Sequence, residues 1–401
     1  MDSNVNRVKL MQQEQVQLVG EWFAKQQDSM VDLLKKLAMI ETPSDRPETQ
    51  YPLIESLISI FDDLDYSSRW LKGIKSGGHL YARPHQYRKG SPSQLLLGHC
   101  DTVWPVGKLK DMPIEIKENI LRGPGVFDMK AGIVQMIFAL KALKELDLNP
   151  EVTPVVFINS DEEVGSREST RQIRRLARHM DRALIMEPSM GETGDIKTAR
   201  KGVGKFVISV KGKAAHAGLD PQAGASAILE LSHVIQKLFE LNDYEKGITV
   251  NVGMVDGGIR PNVIAPESRA IVDVRVLHQK DADYIKNQIF NLEATTPDIT
   301  LEIEGGIGRP PMERTEANRI LWGVMQDIAA SMKIDITENI AGGGSDGNTT
   351  SLYTATLDGM GAVGDGAHAQ NEYIYLDKLV ERGTLLALML LAPPLNINAS
   401  T

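Results

Sequence analysis

Val155-Val156-Phe157-Ile158-Asn159-Ser160-Asp161-Glu162-Glu163 decides the fold class of this chain. The apolar run at its start reads as a strand buried on both faces, the kind that parallel sheets contain. The run then breaks into three consecutive acids. In open α/β sheets, ligands gather beyond the carboxyl ends of the strands, so these acids stand at a candidate site. Adjacent carboxylates repel each other and call for a compensating charge, which a metal would supply. One glutamate can then ligate while its neighbour stays free as a base. A solvated acidic turn is the other reading of the same residues.

Working outward, Leu95-Leu96-Leu97-Gly98 is a second strand of this type and leads straight into His99. Ala183-Leu184-Ile185-Met186 is a third and ends at Glu187-Pro188. Between them, Ile133 to Leu146 reads as a strong helix. Residues 8 to 40 have helical periodicity, with apolar positions at Leu18, Trp22, Leu33, Leu34 and Leu37. Thr42-Pro43-Ser44 breaks that run, and a second amphipathic helix is expected over 50 to 62. Helix alternating with short buried strand predicts an α/β layer fold with a mostly parallel sheet.

The pattern changes near residue 200. Lys205 to Lys211 largely alternates polar and apolar, as a half-exposed strand does. A helix over 222–240, strands over 248–255 and 268–276, a helix over 281–293 and a strand over 299–304 follow. That order predicts a ferredoxin-like α+β insert. Gly305-Gly306-Ile307-Gly308-Arg309-Pro310-Pro311 reads as the linker back. The expected organisation is residues 1–200 and 312–401 as one domain, with 201–311 inserted.

The bulk properties agree with this layout. A chain of 401 residues exceeds one ordinary core. Its 42% hydrophobic and 24% charged residues are those of a globular protein. A net charge of -9 argues against nucleic acid and anionic membrane as partners. One cysteine, Cys100, excludes an intrachain disulfide and fits a reducing compartment. Residues 1–7 lack the layout of a signal peptide, and no apolar stretch is long enough to span a bilayer. The expectation is a cytoplasmic protein.

Other motifs bear on chemistry. His99-Cys100-Asp101 puts two alternating side chains on one face of a strand end, where His99 would bind metal and Asp101 orient its ring. A satisfied polar loop also fits, and Cys100 reads as core. In Gly123-Pro124-Gly125-Val126-Phe127-Asp128-Met129-Lys130 the carboxylate of Asp128 can bridge two cations, or it can cap the helix that starts just after it. Gly364-Asp365-Gly366-Ala367-His368 adds a late histidine in a glycine-rich loop. Two histidines with several carboxylates suit a pair of zinc ions, with cobalt or manganese as possible substitutes.

Taken in order, these phrases resemble the zinc-dependent amidohydrolases and exopeptidases that include aminoacylase-1, acetylornithine deacetylase and succinyl-diaminopimelate desuccinylase. The resemblance is strongest to the glutamate carboxypeptidase branch, of the carboxypeptidase G type. It rests on Gly98 to Gly107, Asp128-Met129-Lys130, Asp161 to Ser166, Gly212 to Gly218 and Gly342 to Gly347, and runs from about residue 30 onward. It implies that Asp128 bridges two zinc ions, with His99 and Glu187 on one and Glu163 and His368 on the other. It further implies that Glu162 is the general base, that Asp101 supports His99, and that the Asp128–Met129 peptide is cis. His216 is implied to reach a partner subunit's site and stabilise the oxyanion. Asn262 and Arg275 are implied to hold the substrate's free carboxylate, and Gly344 to bind substrate beside them. The insert is implied to be a lid that forms a homodimer.

The activity so implied is hydrolysis of the amide before a C-terminal amino acid, glutamate in first place, by water activated between the two cations. A small-acyl deacylase or dipeptidase is the alternative. A non-catalytic binding protein on the same scaffold is the remote one.

Overall fold

The computed structural model describes residues 13–395. The expected start of the first helix, at residues 8–12, and the residues read for a signal peptide lie outside that range. The chain divides into two compact units. One comprises Met1–Thr198, Arg314–Asn339 and Ser345–Thr401; the other comprises Ala199–Glu313 and Ile340–Gly344.

The first unit is built on a six-stranded sheet. Across it lie Tyr66–Leu71, His79–Pro84, Thr153–Asn159, Ser93–His99, Arg182–Ile185 and Ala355–Leu357. The first two pairings are antiparallel and the remaining three parallel. The sheet is therefore mixed, with its parallel part at the strands read as doubly buried. The alternation within each strand explains why. Leu96, Val156, Ile158 and Leu184 face the main core, with the helices Gln13–Ala38, Ala131–Glu145 and Leu376–Leu390. Leu95, Leu97, Phe157, Ala183 and Ile185 join Ile173 of the helix Thr170–Ala177 in another cluster. With both faces covered, the central positions of these strands are apolar, and the buried polar residues Gln94, His99, Asn159 and Arg182 sit toward the strand ends.

Register aligns the strand ends. His99 pairs with Asn159, and Leu97 with Ile185. The residues just past each strand therefore emerge at one edge. Ala131–Glu145 packs tightly there: a Cβ on Gly132 would lie 2.1 Å from the Met186 carbonyl oxygen, so only glycine fits.

The second unit has the order strand–helix–strand–strand–helix–strand. Its antiparallel sheet runs Thr249–Gly257, Glu267–Val276, Gly202–Lys211, Thr300–Arg309. Helices Ala227–Phe239 and Gln279–Phe290 cover it, with Leu231, Val234, Leu238, Ile285 and Ile289 in a separate core. The linker expected over 305–311 is mostly strand. Thr300–Arg309 keeps pairing with Gly202–Lys211 through a register shift between Ile307 and Arg309. Gly305 sits at φ +118°, with the Lys205 carbonyl oxygen 2.1 Å from where a Cβ would stand. The glycines here permit close pairing rather than ending the strand.

Candidate metal centre

His99 ends its strand with its ring almost wholly buried. Its Nε2 lies 3.1 Å from Asp128 Oδ1 and 3.5 Å from Glu187 Oε1. The other oxygen of Asp128 lies 3.4 Å from His368 Nε2, which is 3.1 Å from Glu163 Oε2. One carboxylate thus presents an oxygen to each of two imidazoles, with a further acid beside each. The ligand atoms of His99, Asp128 and Glu163 all lie within 4.8 Å of one another, and so do those of His99, Glu162 and Glu187.

Local backbone explains the convergence. Asp128 is not a helix cap: the helix begins at Ala131, and its N-cap position is Lys130. The Asp128–Met129 peptide is cis, as expected. His368 takes φ +62°, a left-handed conformation that costs a non-glycine residue. Left-handed non-glycine residues of this kind cluster at functional sites.

The carboxylates and imidazoles hold each other charged. Burial alone would lower His99, but Asp101, Asp128 and Glu187 keep it well above its ordinary value. Hydrogen bonds to Asp128 and Glu163 raise His368 to about 10. Asp128 is pulled the other way: burial opposes ionisation, yet both histidines hold it below the usual carboxylate range. Burial lifts Glu163 to about 6. Its Oε1 is buried with no hydrogen-bond partner among the described residues. A buried, unpartnered carboxylate oxygen in a cluster of oxygen and imidazole donors fits a borderline divalent cation such as zinc.

Three acids in a row do not act alike. Asp161 turns away from the cluster and accepts from Ser169 Oγ at 2.6 Å and from the Glu168 N–H at 2.7 Å. Asp101 also does more than expected. The nearest acceptor for His99 Nδ1 is the Asp101 backbone carbonyl at 3.0 Å, with the carboxylate at 3.4 Å. That carboxylate accepts the N–H groups of Glu162 and Glu163, each at 3.2 Å. Cys100 is buried in the core, as read.

Two site residues escaped the sequence reading. Ser44 Oγ donates to Asp101 Oδ2 at 2.7 Å. Glu372 is fully buried and accepts from the N–H groups of Gly125, Phe127 and Asp128 and from Trp104 Nε1. Burial pushes its carboxyl up to about 7 despite those bonds. The one available signal was its place four residues after His368.

His216, Asn262, Arg275 and Gly344 belong to the second unit. His216 Nδ1 accepts from the N–H groups of Gly218 and Leu219, each at 3.1 Å, which leaves Nε2 as the ring's N–H donor. Asn262 lies alongside, its carbonyl accepting from Ala217 N–H. Arg275 is already engaged: Nε and Nη2 reach the Asp273 carboxylate at 2.9 and 3.1 Å. Gly344 adjoins Gly343, whose carbonyl accepts from Arg200.

Residues 95–392 match the family described as Peptidase family M20/M25/M40. The chain belongs to this family. It is accordingly a hydrolase of peptide bonds, in a family of metal-dependent peptidases. Among relatives of this M20 peptidase is carboxypeptidase G2 of Pseudomonas sp. (strain RS-16), 26% identical over 366 residues, or 89% of this chain and 87% of that one. The fold is that of solved M20 structures. Aminopeptidase PepT of Bacillus cereus superposes with a TM-score of 0.78 at 21% identity, covering 91% of this chain and 98% of that one. The Bacillus subtilis YXEP protein, described as a dinuclear metal-binding peptidase, gives 0.66 at 13% identity, covering 91% and 97%.

Proposed function

We propose that this peptidase is a two-zinc carboxypeptidase that releases a C-terminal amino acid, glutamate first, from N-acyl-amino acids or small peptides. The observation that carries the metal count is Asp128, one oxygen toward His99 and the other toward His368. His99, Asp128 and Glu187 would hold one ion, and Asp128, Glu163 and His368 the other. The likeness to carboxypeptidase G2 and to a dinuclear peptidase supports this reading. Bound zinc supplies Lewis acidity and brings the pKa of coordinated water to roughly 7.

The protein's own groups do the rest. Glu162 stands beside His99 and Glu187, the ligand atoms of all three within 4.8 Å of one another, and would serve as the general base. It takes the water's proton as the amide carbonyl is attacked and returns it to the departing nitrogen. His216, from a partner subunit, offers its Nε2–H to the developing oxyanion. Arg275, with Asn262 and Gly344, holds the substrate's terminal carboxylate, for which Arg275 exchanges Asp273 for substrate. A bidentate clamp of that kind limits cleavage to a chain end.

The reading includes a homodimer through residues 201–311. Exposed Ile228, Leu229, Met254, Val255 and Ile259 in the second unit support it. It also includes a cytoplasmic location without nucleic-acid or membrane partners. Among the described residues no helix is long and apolar enough to cross a membrane.

The deciding experiment is a mass-spectrometric screen of the zinc-loaded protein against N-acyl-amino acids, dipeptides and pteroyl- or benzoyl-glutamate. Release of glutamate from several acyl groups is the expected result. Cleavage of small acyl groups alone, or of dipeptides whatever their last residue, overturns the specificity. No cleavage with two zincs bound overturns the carboxypeptidase reading.

A further inference from the structure

We infer that Ser44 is a positioning residue for the hydrolytic site, acting through Asp101 on both Glu162 and Glu163. The inference rests on the two-metal reading. Ser44 lies in a strap, Thr42 to Ser44, laid in parallel against the chain that leaves the His99 strand. Pro43 bridges Thr102, Thr102 N–H donates to the Thr42 carbonyl at 2.8 Å, and Ser44 N–H to the Thr102 carbonyl at 3.2 Å. Thr42 Oγ1 donates to the Cys100 carbonyl at 2.6 Å. Buried Gln50 ties the strap to the catalytic turn, its Nε2 donating to the carbonyls of Pro43 and Ser160 at 3.0 and 3.2 Å. The side chain of Ser44 is therefore delivered to Asp101 by the backbone on either side of it.

At Asp101 the donors divide evenly. Oδ2 receives Ser44 Oγ at 2.7 Å and Glu163 N–H at 3.2 Å. Oδ1 receives Glu162 N–H at 3.2 Å and faces His99 Nδ1 at 3.4 Å. The Ser44 bond is the shortest of the four, and the carboxylate it serves is fully buried. Without the hydroxyl, Oδ2 keeps one weak donor, and a buried charge left short of donors turns toward those that remain. Turning shifts the Glu162 and Glu163 backbones together. The candidate base and a candidate ligand are thus set by one hydroxyl far away in sequence, and outer partners of this kind tune both affinity and rate.

The test compares full-length wild type with Ser44→Ala, Ser44→Val and Ser44→Thr. Threonine keeps the hydroxyl, and valine matches its shape without it. Zinc affinity is read by competition with a chromophoric chelator, stability by melting of the metal-free proteins, and kcat and KM by product release. The expected result is zinc affinity and kcat each lowered roughly 10-fold or more in the Ala and Val variants, with KM little changed and both restored by Thr. Zinc affinity and kcat within about 2-fold of wild type in Ser44→Val overturn the inference, including where only the melting temperature falls, because that marks a merely structural contact. Zinc affinity is read without substrate, so a wrong substrate assignment leaves this test intact. A wild-type chain that binds no zinc overturns both readings.

Discussion

Glu372 Oε1 accepts the backbone N–H of Asp128 at 3.1 Å, so the candidate bridging aspartate hangs from a buried carboxylate 244 residues further along the chain. The same carboxylate holds Gly125, Phe127 and Trp104. Replacing it by glutamine turns an N–H₂ group toward donors that the carboxylate satisfies. Each buried donor left unmade costs about 1–3 kcal/mol. Glu372→Gln is expected to lower the melting temperature and to reduce zinc content or kcat/KM by roughly 10- to 100-fold. Melting curves and metal analysis check this, and a variant with normal zinc content and rate contradicts it.

Glu162→Gln separates the base from the ligands. Loss of a positioned base typically costs about 10²–10⁴ in rate. Turnover is expected to fall by that order while metal stays near two per chain, measured by elemental analysis. Loss of zinc instead means that Glu162 and Glu163 have exchanged roles.

Metal removal is expected to destabilise the fold as well as stop catalysis. Asp128, Glu163 and Glu187 crowd around His99 and His368, and once cations leave only the two imidazoles offset the repulsion among these acids. A ligand held at about 1,000 times its Kd contributes about 4 kcal/mol. The melting temperature is expected to drop by several degrees in chelator and to recover on adding zinc. An unchanged curve removes the cluster from the list of structural elements.

Arg275 tests the clamp. Its guanidinium is shared with Asp273. If it grips substrate, Arg275→Ala raises KM more than it lowers kcat, because ground-state binding is lost. Arg275→Lys would not restore the fork. An unchanged KM for a glutamyl substrate assigns Arg275 to its strand alone.

Glu230 predicts acid sensitivity of the second unit. Burial opposes its ionisation, but hydrogen bonds from Thr295 and Thr296 outweigh this and hold its carboxyl near 2. A carboxyl lowered on folding stabilises the protein above its unfolded value of 4.5 and loses that contribution as pH falls toward about 2. Glu230→Gln is therefore expected to be less stable at neutral pH, with the gap to wild type closing between about pH 4.5 and 2. Melting temperatures across pH measure it, and a constant gap refutes the linkage.

Local sequence determined the framework. Val155 to Ile158, Leu95 to Leu97 and Ala183 to Ile185 are continuous apolar runs because both sheet faces are covered, and that needs no knowledge of partners. The residues just past those runs, His99, Glu162, Glu163 and Glu187, were legible as candidates for the same reason. Glycine-rich composition misled at Gly305 to Arg309, where a neighbouring strand, not the local residues, decides the conformation. Tertiary structure alone decided that Asp161 turns away, that Asp101 grips the Glu162 and Glu163 amides, and that Ser44 and Glu372 complete the centre. Hydrogen bonds between residues far apart in the chain have no period, so nothing in the string of residues marks them; only the packed register of strands brings donor and acceptor within 3 Å or so.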